Sequence, residues 1–264
     1  MIFYQVTQIM TKLEDICFGR HLFKVAIILR NSHLISSLLT NTEAWYNLSQ
    51  SDIDTLESVD ESLWRKILET PISTPKEMLY LEMGVIPIRY IIKMRRLNFL
   101  QYILHEDKNS LVHSCLKAQL QNPSPRDWGL TCLKDLEELD IENMSKCRFR
   151  TIVRKKTAER TLEYLNEIKG RHSKVMHIPL HSKLKMQQYL ETKYLSVHET
   201  KFMFSLRSRM IDVKVNYREK HTHVLCPCCK MAADSQEHLL SCSKIKVEGC
   251  KLSPCLPRPI WKQY

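Results

Sequence analysis

Hydrophobic residues recur at helical spacing along most of this 264-residue chain. Residues 1–48 are predicted to be apolar-rich helix, and residues 22–39 are apolar on nearly every side. Such a segment should be buried or covered by a partner. A clean amphipathic stripe follows over 53–68 and stops before Pro71. Ser49 or Ser51 is its candidate N-cap, because a serine hydroxyl can accept a hydrogen bond from a free backbone N–H. Both segments therefore predict helices.

The run STPKEMLYLEMG predicts a further, shorter helix. Pro75 is expected at its first helical position, where the missing N–H costs nothing, with Ser73 or Thr74 as N-cap. Gly84 is expected to end it, because glycine readily adopts the left-handed conformation of a helix C-terminus. The next helix begins near Pro87 and carries a compact basic face, formed by Arg89, Lys93, Arg95 and Arg96.

Helical patterns continue toward the C-terminus. Apolar stripes predict helices over 111–121 and 128–139, with a proline-rich break between them. A strongly basic helix follows and is expected to end at Gly170. A helical pattern then resumes over 183–195. The chain has only 5 glycines, which also favours helices over turn-rich β structure.

The stretch CPCCKMAADSQEHLLSC has the ligand spacing of a zinc site. Cys226 and Cys229 form a C-x-x-C turn, while His238 and Cys242 follow at i, i+4 on a predicted helix capped by Asp234. Structural zinc takes four Cys or His ligands in a tetrahedron. We therefore predict a zinc ion bound by four ligands: Cys226, Cys229, His238 and Cys242. We predict a mainly α fold, a helical array with a small C-terminal zinc-knuckle-like module.

Other residues keep the ligand assignment open. Cys228 can replace Cys229 in the turn, and His221 or His223 can compete from upstream. The same residues can also be read as ordinary buried thiols and a surface histidine. Four suitable ligand types within so short a window favour the metal site.

The positive charge of the chain is concentrated in one segment. The formal net charge is +11, and residues 145–220 hold 19 Lys and Arg against 7 Asp and Glu. The remaining residues hold 21 against 22 and are nearly neutral. Such segregation favours a polyanionic partner, and nucleic acid more than an acidic protein or a membrane surface.

Within this segment, one predicted helix has an apolar stripe of Phe149, Val153 and Thr157. Its cations are the expected contacts to nucleic acid: Arg148, Arg150, Arg154, Lys155 and Lys156. Further along, Phe202 lies close to Arg207 and Arg209, and arginine interleaved with aromatic rings can contact phosphates and stack on bases. An amphipathic helix with Phe in the core and Arg in water fits this pattern equally well.

The sequence also bears on compartment and catalysis. The start MIFYQVTQIM lacks the basic residues of a signal peptide, so we expect an intracellular protein, in the nucleus or cytoplasm, with reduced thiols. We expect no membrane partner, since charged residues interrupt the apolar run near Phe23. Gly-rich phosphate loops and G-x-S-x-G or H-E-x-x-H motifs are absent from the sequence, and we expect no small-molecule substrate.

Several runs, taken in order, resemble the C-terminal part of a non-LTR retrotransposon reverse transcriptase. The resemblance covers residues 13–242 and rests on these runs: LISSLLTNTEAW, STPKEMLYLEMGVIPIRYIIKMRRLNFLQYIL, NPSPRDW, MSKCRF, FSLRSRM and CPCC with DSQEHLLSC. It implies thumb-like helices ending a polymerase domain over 1–70, a helical linker over 71–144, a basic helical segment over 145–220 and a zinc knuckle over 221–264. It also implies backbone contacts to nucleic acid from the Arg95/Arg96 and Arg207/Arg209 pairs.

The polymerase signature of that family, an aromatic residue followed by Ala-Asp-Asp, does not occur in this sequence. We therefore expect a truncated, non-catalytic fragment that binds RNA or DNA with little sequence specificity. Two alternatives stay open. One is a zinc-stabilised protein-interaction module, and the other is an RNA-directed DNA polymerase whose N-terminal catalytic region is missing from the given sequence.

Overall fold

The computed structural model describes residues 21–142, 148–172, 176, 178, 181–192, 194–211, 213–216 and 223–244. Positions 1–20 of the first predicted helix lie outside these ranges. The described part is mainly helical, as predicted, and its only β pairing is a bridge between Leu225 and Ala233. The α-helices are α1 (Leu22–Leu29), α2 (Ile35–Leu38), α3 (Gln50–Leu68), α4 (Lys76–Met83), α5 (Ile88–His105), α6 (Leu111–Gln121), α7 (Trp128–Glu138), α8 (Phe149–Lys169), α9 (Gln188–Glu191), α10 (Val197–Arg207) and α11 (Gln236–Ser241). A π-helical turn (Arg30–Leu34) joins α1 to α2, and a 3-10 turn (Thr42–Ala44) follows α2.

Local capping fixes the start of α3. The Ser49 hydroxyl accepts a hydrogen bond from the Asp52 backbone N–H at 3.2 Å, and the Asp52 carboxylate accepts one from the Ser49 N–H at 2.9 Å. Two of the unpaired donors at the helix start are thereby satisfied. Of the two predicted caps, Ser49 is the one used, and Ser51 lies inside the helix.

The ends of α4 show one prediction confirmed and one wrong. Gly84 ends the helix with a φ of 64°, as predicted. The N-cap, however, is Pro75 itself and not Ser73 or Thr74, so the helix begins one residue later than expected. Glycine at position 84 is also required sterically, because a Cβ there would lie 2.1 Å from the carbonyl carbon of Lys185.

The helix predicted over 183–195 is largely wrong. Only Gln188–Glu191 is helical, because the chain before it lies against the end of α4. There the Gln187 N–H donates to the Glu82 carbonyl at 2.9 Å, and the backbone at Lys185 packs on Gly84. This tertiary contact replaces the helical hydrogen bonds that the local sequence favours.

The sequence predicts a compact basic face on α5, and in the structure its first two cations, Arg89 and Lys93, pair with carboxylates of neighbouring helices. The Arg89 guanidinium donates to the Glu57 carboxylate of α3 at 2.7 Å. Lys93 pairs with Glu138 of α7. These cations therefore hold α5 to its neighbours.

Among the described residues, three apolar cores lie between the helices. The largest core combines residues of α1, α3 and α4 with residues of α8 to α10. It therefore contains side chains from three of the four segments that the family resemblance implies, 1–70, 71–144 and 145–220. The boundaries of these segments stay a prediction. A second core lies among α5 to α8, and a small third core packs α2 against the start of α5. The largest core contains these buried side chains: Leu22, Phe23, Ala26, Leu34, Leu63, Trp64, Ile67, Leu68, Met78, Leu79, Tyr80, Leu81, Met83, Val85, Leu165, Ile178, Met186, Leu190 and Phe204.

Candidate metal centre and basic surface

The first half of the candidate metal centre is a tight turn between two bridged segments. The Cys226 N–H donates to the Ala232 carbonyl at 2.8 Å, next to the Leu225–Ala233 bridge. The Lys230 N–H then donates back to the Cys226 carbonyl at 3.0 Å, and Lys230 adopts a left-handed φ of 56° to close the turn. The backbone thereby brings the C-x-x-C sulfur atoms to one side of the turn.

The second half is α11, which places His238 and Cys242 one turn apart. Its N-cap is Ser235, whose hydroxyl accepts the His238 N–H at 3.1 Å. The prediction that Asp234 is the N-cap is wrong by one residue. Its carboxylate instead accepts the backbone N–H of Lys214 at 3.1 Å, which links the module to the preceding chain.

The four predicted ligands come together. The ligand atoms of Cys226, Cys229, His238 and Cys242 all lie within 4.8 Å of one another. A tetrahedral zinc with Zn–S bonds of about 2.3 Å separates two sulfur ligands by about 3.8 Å, and the Cys226 and Cys242 sulfur atoms are 3.8 Å apart. The Cys229 sulfur and His238 Nε2 are closer, at 3.1 Å. The cluster can therefore hold a metal ion, and its ligand types and spacing are consistent with zinc.

Local hydrogen bonds favour the thiolate forms that a metal requires. The backbone N–H of Cys229 is the main reason that the pKa of the Cys226 thiol falls to about 6. The backbone N–H of Met231, 3.4 Å from the Cys229 sulfur, lowers the pKa of that thiol too. Hydrogen bonds to Cys226 and then Cys229 raise the pKa of His238. The lowered pKa values of both thiols favour the negative sulfur that a divalent metal ion binds.

The alternative ligands are separated from this cluster. Cys228 is exposed and does not belong to it, so the turn uses Cys229 as predicted. His223 is exposed and also stays outside the cluster. His221 lies outside the described residues.

Side-chain contacts attach the module to the end of α10. The Gln236 amide donates to the Leu206 carbonyl at 2.9 Å. Arg209, one of the predicted nucleic-acid contacts, forms an ion pair of 3.2 Å with Glu237 of α11. Arg209 therefore takes part in docking the module.

The structure gives two other predicted arginines internal partners. Arg96 is 5% exposed, and its guanidinium donates to Asp135 at 2.6 Å and to the Trp45 carbonyl at 2.8 Å. Arg207 donates to both carboxylate oxygens of the buried Glu82 at 3.0 Å. Both guanidinium groups are thus committed to buried or partly buried carboxylates.

Two further predicted contacts lie nearer the surface. Phe202 is 49% exposed on α10, whereas its neighbour Phe204 is fully buried. Arg95 donates to the Leu39 carbonyl and lines a surface cleft together with Arg150. Of the two arginine pairs implied by the family resemblance, Arg95 is the member that lines this cleft.

The first turns of helix α8 present Arg150, Arg154 and Lys155 to solvent, while the predicted stripe of Phe149, Val153 and Thr157 is buried. At the other end of the helix Lys169 is 1% exposed and donates to the Ile178 carbonyl at 2.7 Å. Lys155 and Lys156 form surface ion pairs with Glu159 and Asp140, at 3.7 and 2.5 Å. Three exposed arginines have no carboxylate at ion-pair distance among the described residues: Arg148, Arg150 and Arg154.

Three residues of α5 beside the predicted Arg95 were missed from the sequence: Asn98, Phe99 and Tyr102. Arg95, Asn98, Phe99 and Tyr102 follow at i, i+3, i+4 and i+7 and therefore share one helix face. All four line the cleft that Arg150 completes. The helical spacing was readable from the sequence, but the pairing with α8 was not.

Within the described residues, no helix is long and apolar enough to cross a membrane. Comparisons with protein families, with curated proteins and with solved structures found no match for this chain.

Proposed function

We propose that this chain binds nucleic acid through α8 and acts by binding and not by polymerisation, as a C-terminal reverse-transcriptase segment would. The observation that carries the proposal is the set of exposed arginines on α8, Arg148, Arg150 and Arg154, with no carboxylate partner among the described residues. Arg150 and Arg154 lie one turn apart on α8, and Arg148 directly precedes the helix. Their guanidinium groups offer several N–H donors to a phosphate backbone.

The contrast between helices supports this assignment. The chain contains 29 Asp and Glu, and three cations of α5 pair with carboxylates among them: Arg89, Lys93 and Arg96. On α8, by contrast, arginines also occupy the first turn and the residue before it, close to the positive end of the helix dipole. Cations at this end repel the helix dipole, so an anionic partner would relieve a local electrostatic cost.

The zinc module extends the proposed binding surface. Zinc held by Cys226, Cys229, His238 and Cys242 would fix the fold of 223–244, which is too short to build an apolar core of its own. The module is docked to α10 through Gln236. We propose that it contributes contacts to nucleic acid while the helical array supplies the main electrostatic attraction.

The order of the motifs is the reason to propose a reverse-transcriptase origin, and the helical fold is compatible with it. The sequence lacks an aromatic-Ala-Asp-Asp run. In the described residues, the Cys/His cluster is the only group of three or more His, Cys, Asp or Glu side chains close enough to hold a metal ion. Binding without catalysis is therefore the proposed role.

A salt series with a fluorescent single-stranded oligonucleotide tests the proposal. Binding to single strands loses about 0.7 in log affinity per phosphate contact for each tenfold rise in salt. Replacing the three α8 arginines by Gln should therefore flatten the slope by about 2. The matched control removes the same charge from three other exposed positions: Lys108, Lys117 and Lys134.

The control variant should keep a slope close to that of the unmodified protein. Equal slopes in the arginine and lysine variants would remove α8 from the binding surface. Binding of a protein ligand, but of no RNA or DNA at any salt concentration, would instead favour a zinc-stabilised protein-interaction module.

A further inference from the structure

A shallow cleft lies between α5, the start of α8 and the 3-10 turn that follows α2. Its volume is about 420 Å³, within the roughly 300–1,000 Å³ common for small-ligand sites. The lining combines two cations, one carboxylate, one amide and two aromatic rings: Arg95, Arg150, Glu43, Asn98, Phe99 and Tyr102.

The aromatic wall of the cleft is held rigidly. Phe99 packs edge-on against Trp128 with ring centroids 5.7 Å apart, and the Trp128 indole donates to the Glu43 carbonyl at 2.8 Å. Tyr102 stacks on Phe99 with an interplanar angle of 11°. Yet Tyr102 remains 54% exposed, so part of its ring is open to another planar group.

The polar groups are placed to bind a ligand that carries a phosphate. Arg95 is fixed by one hydrogen bond to the Leu39 carbonyl, which leaves other N–H donors of its guanidinium. Arg150 is exposed and has no carboxylate at ion-pair distance in the described part of the chain. The Asn98 side chain completes the polar part of the lining.

We infer that this cleft holds one nucleotide of a single-stranded nucleic acid. Arg95 and Arg150 contact the phosphate, the unpaired base stacks on Tyr102, and Asn98 meets the edge of the base. The Glu43 carboxylate then accepts a hydrogen bond from a sugar hydroxyl or a base amino group. The inference rests on the proposed function and adds to it a site that selects single strands, because a paired base has no free face for Tyr102.

The decisive variants change only the Tyr102 side chain, in full-length protein. Stacking of one base on an aromatic ring is worth about 1–3 kcal/mol, so Tyr102→Ala should weaken binding of a labelled single-stranded oligonucleotide by about 5- to 150-fold. The salt slope should not change, since no charge is removed. Tyr102→Phe keeps the ring and should bind like the unmodified protein. Tyr46→Ala, which removes a 51% exposed ring outside the cleft, is the matched control.

A fully paired duplex of the same sequence separates stacking from general attraction. Its affinity should be equal for Tyr102→Ala and the unmodified protein. Arg150→Gln should lower the single-strand salt slope by about 0.7, as expected for one lost phosphate contact.

Two negative outcomes have different meanings. If the unmodified protein binds single strands in a salt-dependent way but Tyr102→Ala matches Tyr46→Ala, the cleft is not the site and only this inference fails. If the unmodified protein binds no nucleic acid, the proposed function and the inference fail together.

Discussion

Loss of one ligand from the Cys/His cluster should release the metal and loosen only the C-terminal module. We consider Cys226→Ser and His238→Ala, which each remove one of the four clustered ligand atoms. In the described residues, none of the three apolar cores contains a side chain from 223–244. The helical array should therefore keep its fold in both variants.

The expected loss of affinity follows from the number of ligands. Structural zinc in small modules binds with about 10–16 kcal/mol, so an even share among four ligands is about 2.5–4 kcal/mol each. One lost ligand then weakens binding by about 60- to 700-fold. The Cys226–Cys242 separation of 3.8 Å already matches a tetrahedral edge, so little of this energy is spent on rearranging that pair.

Zinc content by mass spectrometry after dialysis, with affinity from chelator competition, measures the effect. The matched control is Cys228→Ser, which alters an exposed thiol of the same turn outside the cluster. The unmodified protein and the control should retain one zinc per chain, and the helical melting midpoint should stay nearly constant throughout. Equal zinc content in Cys226→Ser, His238→Ala and Cys228→Ser would show that the ligand assignment is wrong.

Three further predictions concern the helical array. Asp60→Leu leaves the buried Arg30 without its carboxylate, 2.5 Å away, and should cost about 3–5 kcal/mol in urea unfolding. The double variant Arg30→Met/Asp60→Leu should recover most of that loss, and a double variant as unstable as the single one would contradict the argument. Gly84→Ala combines a left-handed φ with a backbone clash and should cost about 2–5 kcal/mol, whereas Gly170→Ala should cost much less; similar costs would be evidence against the clash. Burial lowers the pKa of His181, so the unfolded chain binds its proton first and stability falls as pH drops below about 6.5. His181→Gln should flatten this part of the pH dependence of the unfolding midpoint, and an unchanged profile would refute the assignment.

Features encoded within about 17 consecutive residues could be predicted from the sequence. The cap at Ser49, the helix end at Gly84 and the four ligands of the metal cluster depend on neighbours close along the chain. Capping is decided by one side chain and the next few N–H groups, and ligand spacing on a turn or helix follows from backbone geometry. Even so, the caps of both α4 and α11 were misplaced by one or two residues: Pro75 is the N-cap of α4 in place of Ser73 or Thr74, and Ser235 that of α11 in place of Asp234.

The roles of the cations were decided only by the tertiary structure. Arg96 meets Asp135 from another helix, and Arg207 meets Glu82 from a distant part of the chain, so neither pairing is visible in a local pattern. Similarly, the chain around Lys185 was predicted to be helical, but its backbone packs closely against Gly84 and is not helical. Local sequence determines which residues are basic or prefer a helix. Tertiary packing brings carboxylates and backbone from distant parts of the chain next to these residues. It thereby decides which arginines already have a partner and which can still bind a phosphate.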